Sequence, residues 1–231
     1  MNPVGIIQPG KIGDILICLP IAKYYHDKGR TVHWPVLPYC RAIFEPAVDY
    51  VQWHSCELSY QSSVNQLPQC DHLPIYCGFG DRPDLSHQWL VTGLTFDAYK
   101  YYTANVPFSE KYTLSLNRNE QREQVLKDTL SINEPYRVVC EYSSDGSRDI
   151  VNYLPKDKRI VKVSQLTDSI LDWIPILMGA DEIHSIDSAI VNLCAGLRIG
   201  IDKKCYRYYR PGYGNDHRLY PVLPENWQTI Q

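Results

Sequence analysis

No stretch of this chain approaches the roughly 20 consecutive apolar residues of a membrane span. Its N-terminus has no basic segment leading into an uninterrupted apolar run and a cleavage site, so a cytoplasmic protein without a membrane span is expected. Neither sign of charge dominates. The net charge is -3 and the isoelectric point is near 6.1, which excludes a global basic field for gathering nucleic acid and leaves open a local basic groove. The eight cysteines (Cys18, Cys40, Cys56, Cys70, Cys77, Cys140, Cys194 and Cys205) include no C-x-x-C pair, and several lie in apolar runs. Buried free thiols are therefore expected rather than disulfides or a zinc centre. The histidines show no H-E-x-x-H or other ligand spacing, so no metal site is expected. There is no low-complexity linker and no internal repeat.

What is present is an ordinary globular composition. Hydrophobic residues make up 44% and charged residues 21% of 231 residues, enough chain for one large domain or two small ones and for a substantial core. Apolar runs at 4–7, 31–37, 50–56 and 73–77 read as strands, with helical or irregular segments between them, including 41–47. Strands joined by helical crossovers imply a parallel sheet, because parallel neighbours cannot be joined by a tight hairpin. An aromatic helix is predicted over 87–102 and a polar one over 119–130, stopped by Pro135.

A second alternation follows. Strands are predicted at 137–142, 159–163, 182–186 and 198–201, a polar loop at 143–158, and helices at 168–178 and 188–197. The expected organisation is two Rossmann-like α/β domains, 1–130 and 131–231, with the boundary falling within 115–135. Their parallel sheets would face a cleft at the carboxyl ends of the strands, where open parallel sheets bind ligands.

Three segments carry chemistry. The first is Val4-Gly5-Ile6-Ile7-Gln8-Pro9-Gly10-Lys11-Ile12-Gly13-Asp14, a strand, a glycine turn and a helix start. Glycines allow close approach of the backbone, and the first N–H groups of a helix attract anions. Asp14 can cap that helix or accept a proton in a cleft, and Lys11 can approach a substrate or lie on the surface. The turn lacks a full G-x-G-x-x-G and the Gly-Lys-Ser/Thr of a P-loop, which disfavours dinucleotide oxidoreductases and P-loop kinases.

The second is Ser143-Ser144-Asp145-Gly146-Ser147-Arg148, followed by Tyr153-Leu154-Pro155. The third is Ile186-Asp187-Ser188-Ala189 running into a helix with Asn192-Leu193-Cys194-Ala195. Asp187 and Ser188 suit a helix cap as well as a ligand contact.

Taken in order, these segments resemble the heptosyltransferase-like glycosyltransferases of the GT-B fold. Gly13-Asp14 through Leu19-Pro20 matches the family's N-terminal element, Ser147 and Arg148 lie in its phosphate loop, and Asp187-Ser188 matches its Asp-Ser/Thr-Gly turn. The chain departs from the pattern at Asn192, where the family has histidine, at Ala189 for glycine, and at 151–152, where the family's lysine is missing.

The resemblance implies a compact, reduced GT-B protein that transfers a sugar from a nucleotide-activated donor to an acceptor hydroxyl. Inversion is expected, with no metal and no cofactor beyond the nucleotide sugar as co-substrate. It implies Asp14 as base, and an acceptor-side loop of Gly10, Lys11 and Gly13. Ser147, Arg148, Asp187, Ser188 and Asn192 would face the donor phosphates. The tail at 203–218 interleaves Lys and Arg with Tyr, a composition able to contact a donor nucleotide, stack on nucleic acid, or lie as a solvated loop. Two alternatives accompany the transferase reading: transfer to a modified base in DNA, and a non-catalytic protein that binds a nucleotide or nucleotide sugar on the same scaffold.

Overall fold

The computed structural model describes residues 1–78, 80–210 and 216–230. The chain forms two compact units, Met1–Asn117 with His217–Val222 and Arg118–Asp216 with Leu223–Gln231.

In the first unit the chain runs β1 (Val4–Ile7), α1 (Ile12–Asp27), β2 (Val32–Val36), α2 (Pro38–Phe44), β3 (Gln52–Ser55), α3 (Tyr60–Asn65), β4 (Asp71–Pro74), α4 (Pro83–Thr92) and α5 (Phe96–Thr103), then a 3-10 turn at Phe108–Tyr112. The four strands form one parallel sheet in the order β3-β2-β1-β4. β1 and β2 are buried along their whole length, as expected of strands covered on both faces, which read as continuous apolar runs. The start of α1 is buried on every side from Ile15 to Ala22, and Trp34 stacks on Trp53 with ring centroids 5.3 Å apart.

The helix predicted over 87–102 is two helices. Gly93, at φ +70°, ends α4 in the left-handed conformation, which glycine adopts without a Cβ penalty. Thr95 then caps α5 by accepting from the Ala98 N–H. The fourth strand lies at Asp71–Pro74, two residues earlier than predicted, and α2 begins earlier too, at Pro38, with proline in the first helical turn.

The second unit runs α6 (Glu120–Leu130), β5 (Tyr136–Cys140), a hairpin of β6 (Tyr142–Ser143) and β7 (Gly146–Ser147), β8 (Arg159–Lys162), α7 (Ile174–Gly179), β9 (Glu182–Ile186), α8 (Ala189–Gly196), β10 (Lys204–Tyr208) and β11 (Trp227–Ile230). Its main sheet is parallel, in the order β11-β10-β9-β5-β8. α6 packs in this unit, tied by Arg122, whose guanidinium meets Asp172 at 2.8 Å and also bonds Asp168.

Two elements differ from the sequence expectation. The helix predicted over 168–178 is a 3-10 turn at Ile170–Trp173 followed by α7, with Pro175 in the first turn. The strand predicted at 198–201 is a turn, with Arg198 at φ +55° and Gly200 at φ +94°, and the strand follows at Lys204–Tyr208. β11 carries no alternation strong enough to have been foreseen. Among the described residues all eight cysteines are free; six are buried and Cys70 and Cys77 half-buried. No helix among the described residues is long and apolar enough to cross a membrane.

Candidate functional site

Both sheets have a point where strand order reverses. In the first unit it lies between β1 and β4, and in the second between β5 and β9. Open parallel sheets bind ligands outside the carboxyl ends of the strands at such points, because the connecting segments diverge there to opposite faces.

In the first unit the residue after that point is Asp14. The cap of α1 is Lys11, in an extended conformation and with no side-chain capping bond. The capping role open to Asp14 in the sequence is thus excluded: it is the third helical residue, with its carboxylate free to point sideways. Its Oδ1 lies 3.2 Å from Nζ of Lys100, a side chain only 1% exposed. Lys100 Nζ also donates to the Ile75 carbonyl just beyond β4, at 3.3 Å, and sits among the rings of Tyr76 and Phe96. Burial works against the ammonium, but the Asp14 carboxylate, by charge and hydrogen bond, together with Cys77 and Cys18 outweighs it and holds Lys100 above the ordinary lysine range. Burial pushes the neighbouring Cys18 thiol up to about 12 and Cys77 up to about 11, so neither thiol supplies a competing charge at neutral pH.

The loop before Asp14 is built around close contact. A Cβ on Gly10 would stand 2.8 Å from Gln8 Oε1 and 3.1 Å from Asp14 Oδ2, so this glycine is required by space. Gln8 is fully buried. Its Oε1 accepts from the Gly10 N–H at 2.9 Å, and its carbonyl accepts from the Trp34 indole at 2.9 Å. Its Nε2 finds no hydrogen-bond partner among the described residues. Lys11 is exposed and Gly13 half-buried. α5 is fastened to α1 by the Tyr101 hydroxyl, which donates to the Ile17 carbonyl at 2.8 Å.

In the second unit three segments leave the carboxyl ends of adjacent strands. After β9, Ser188 caps α8, its hydroxyl accepting from the Ile190 N–H at 3.3 Å and lying 3.0 Å from Ser185 Oγ. Asp187, 5% exposed, lies 3.1 Å from a guanidinium nitrogen of Arg210. After β10, Arg210 spans from Asp187 to Asp145, which its other terminal nitrogen meets at 2.7 Å.

After β5, the hairpin carries Asp145 and Ser147, and Arg148 follows it. The Arg148 N–H donates to the Glu141 carbonyl at 2.8 Å, its guanidinium reaches the Tyr209 carbonyl at 3.5 Å, and it stands over the Tyr208 ring. Gly146, at φ +149°, lets the hairpin turn. Glu141 closes the loop, accepting from the Ile150 and Val151 N–H groups at 2.7 and 2.9 Å and from Lys162 at 2.9 Å. Burial raises the Glu141 carboxyl, but these donors, Lys162 first, hold it below the usual carboxylate range.

Asp187, Ser188, Ser147 and Arg148 therefore share one end of this sheet, where Arg210 ties Asp187 to Asp145 of the hairpin. Ser147 is exposed on β7. Asn192 lies one turn into α8, its N–H facing the Ser188 carbonyl at 3.4 Å, with Oδ1 buried and unpartnered among the described residues. In the tail at 203–218, 204–208 form β10, Arg207 donates to Thr229 Oγ1 at 3.0 Å, and 217–219 form a 3-10 turn in the first unit. Its part at 211–215 lies outside the described residues, as does Phe79 of the turn-rich 78–83 stretch. No group of three or more potential metal ligands occurs among the described residues.

Lys100, Glu141 and the bridging role of Arg210 were not foreseen. Lys100 had one signal, a lone cation in the aromatic run Tyr99-Lys100-Tyr101, which burial makes expensive unless a counter-charge is near. Glu141 had none.

No protein-family model and no curated protein matches the sequence. Solved structures do match its fold. The chain is 6% identical to the glycosyl transferase family 9 structure from Veillonella parvula DSM 2008, with a TM-score of 0.63, covering 99% of this chain and 85% of that one. Against E. coli heptosyltransferase WaaC with ADP-2-deoxy-2-fluoro heptose it is 12% identical, with a TM-score of 0.51, covering 99% and 93%. Against the iron-containing dodecameric glycosyltransferase TibC of enterotoxigenic E. coli H10407 it is 13% identical, with a TM-score of 0.54, covering 89% of this chain. The chain spans only 58% of the length of TibC. At these identities the likeness is one of fold: the chain is a compact, divergent α/β protein whose parallel sheets are similar to those of the GT-B heptosyltransferase and family 9 structures.

Proposed function

We propose that the protein is a glycosyltransferase, transferring a sugar from a nucleotide-activated donor to an acceptor hydroxyl by single displacement with inversion. Asp14 is the general base. It takes the hydroxyl proton as that oxygen bonds to the anomeric carbon, and the bond from that carbon to the diphosphate oxygen breaks on the opposite side. The leaving diphosphate carries its charge to Arg148, Arg210 and the N–H groups at the start of α8, with the Ser188 hydroxyl and Asn192 beside them. These cations and dipoles supply the stabilisation that a metal ion supplies elsewhere, so no metal or other cofactor is invoked. In this reading the first unit serves the acceptor, with Gly10, Lys11 and Gly13 shaping its loop, and the second serves the donor.

One observation carries the reading. A carboxylate stands at the switch point of one sheet, and at the switch point of the other a helix start with Arg210 paired to Asp187 just before its cap. An ADP-sugar is the first donor to try, since TibC has been solved with ADP-D-beta-D-heptose and WaaC with ADP.

The test is a thermal-shift screen with ADP, GDP, UDP and their sugars. A ligand at 100 times its dissociation constant adds about 2.7 kcal/mol of stability. Release of nucleoside diphosphate by wild type and by Asp14→Ala is then compared. Binding with turnover lost in the variant is expected. Binding without turnover in either protein would make the chain a nucleotide-binding scaffold, and absence of any nucleotide-sugar binding would end the transferase reading.

A further inference from the structure

We propose that Lys100 is the positioning residue for Asp14, a sealed cation whose task is to fix the carboxylate of the base at the end of β1. The inference rests on the reading of Asp14 as base.

Four observations converge on it. Lys100 Nζ lies 3.2 Å from Asp14 Oδ1, and the lysine side chain is 1% exposed while that of Asp14 is 26% exposed. The cation is therefore closed off and the carboxylate is the half of the pair that reaches solvent, so Lys100 acts through Asp14 and touches no substrate. The ammonium is held from behind by the Ile75 carbonyl at 3.3 Å, on the strand edge where the sheet order reverses. On the other side a Cβ added at Gly10 would stand 3.1 Å from Asp14 Oδ2. One carboxylate oxygen is thus tied to Lys100, and the other has its place because residue 10 carries no side chain. A surface salt bridge would not need this construction, since exposed pairs contribute little to stability.

A fixed carboxylate costs no reorientation when the acceptor arrives, and that advantage appears in turnover rather than in binding. Loss of packing alone would lower the melting temperature without the selective fall in kcat that a donor of similar reach at position 100 restores.

The experiment compares wild type, Lys100→Met, Asp14→Asn and the double variant. Release of ADP, GDP or UDP from ADP-glucose, ADP-heptose, GDP-mannose and UDP-glucose is followed at neutral pH, with melting temperature recorded alongside. For Lys100→Met the expected result is a kcat at least tenfold lower with a KM within threefold. The double variant should be no slower than Asp14→Asn alone. Lys100→Gln keeps a donor of similar reach without the charge, also where Lys100→Met does not fold. It should recover part of kcat.

A folded Lys100→Met protein with wild-type kcat, or one whose kcat Lys100→Gln does not improve, overturns the proposal and leaves the base reading standing. Full activity in Asp14→Asn overturns both, with the transferase reading intact. No turnover of any donor by wild type overturns the transferase reading, and the role of Lys100 with it.

Discussion

The two switch points hold ion pairs of opposite design. At Asp14 the cation is sealed and the anion is accessible; at Arg210 the cation bridges two carboxylates, of which Asp187 is buried and Asp145 rides on the turn of the hairpin at 28% side-chain exposure. Lys100 is held from α5, an element fastened into the core through Tyr101. Arg210 follows β10, and one of these two carboxylates, Asp145, comes from a loop. Under the proposed function the difference is the one expected between a group that must keep its geometry through a reaction and a cation that exchanges an internal partner for a ligand anion. A diphosphate can take the place of Asp145 at Arg210, because both offer oxygen acceptors to a planar guanidinium. Nothing of similar charge can replace Asp14 at Lys100 without entering the core.

The largest effect should come from breaking the first pair. Asp14→Ala is expected to lower nucleotide release by a hundred- to ten-thousandfold, the usual weight of a general base, while the dissociation constant for the nucleoside diphosphate stays within about twofold. It should also cost about 2 kcal/mol in urea unfolding, because Lys100 keeps a buried charge without its partner. Adding Lys100→Met should recover part of that loss. Equal stability of Asp14→Ala and wild type would mean the pair is not formed in solution.

Arg210→Ala breaks the second pair and should do the reverse. Loss of a charged hydrogen-bond donor to phosphate is expected to weaken nucleotide binding by about tenfold or more, read by calorimetry with the best nucleotide from the screen. If Arg210→Ala left nucleotide affinity untouched and Asp14→Ala abolished it, the assignment of the two units would have to be exchanged.

Much of this arrangement is legible in the amino-acid sequence. Apolar runs separated by helical stretches imply parallel sheets, since their periodicity and spacing admit little else, and the polar helix expected over 119–130 forms at Glu120–Leu130 with Asn119 as its cap. Asp187 and Ser188 fall, as expected, at a strand-to-helix turn, though the capping oxygen belongs to Ser188.

Other elements failed for physical reasons. Arg198-Ile199-Gly200-Ile201 looks like a strand by composition, yet Gly200 and Arg198 adopt left-handed conformations that terminate α8. Gly93 likewise divides a helix that its aromatic neighbours would extend. The pairs at the site could not be read at all. Lys100 and Asp14 are far apart in sequence, and no local pattern states which buried lysine meets which acid. Glu141 finds its donors only because the loop after β5 folds back on it.

A third ion cluster, at the amino ends of β5 and β9, sharpens the contrast because it lies away from the carboxyl ends where open parallel sheets bind ligands. Arg137, 4% exposed, is bound by Glu182 at 2.6 Å and Asp157 at 2.8 Å. Burial raises the Glu182 carboxyl, but Arg137 and then His184 outweigh it and hold it down to about 2. Its folded pKa lies below the unfolded value near 4.5, so its stabilisation is present above that value and is lost as pH falls from about 4.5 towards 2. Glu182→Gln should therefore cost about 2 kcal/mol at neutral pH and flatten the fall in stability across that acid window, with nucleotide affinity unchanged. A variant as acid-sensitive as wild type would place the sensitivity elsewhere, with Glu141 the next candidate.

The smallest effect on stability is expected at Asn192, where the second unit departs from the histidine of the resemblance. Its side-chain oxygen is buried and has no partner among the described residues. Most buried polar groups lose stability when altered because a bond is broken; here the buried oxygen makes none among the described residues, and removing an unsatisfied acceptor is close to neutral or stabilising. Asn192→Ala should consequently melt within about 1 °C of wild type or slightly above it. The same atom lies one helical turn from Ser188, the cap of the helix assigned to the donor phosphates. If Asn192 is retained for the ligand, Asn192→Ala should weaken nucleotide binding about threefold with no loss of stability. A variant that melts several degrees lower with unchanged affinity would show instead that the amide is bonded within the fold, and the donor wall would then reduce to Ser188, Arg148 and Arg210.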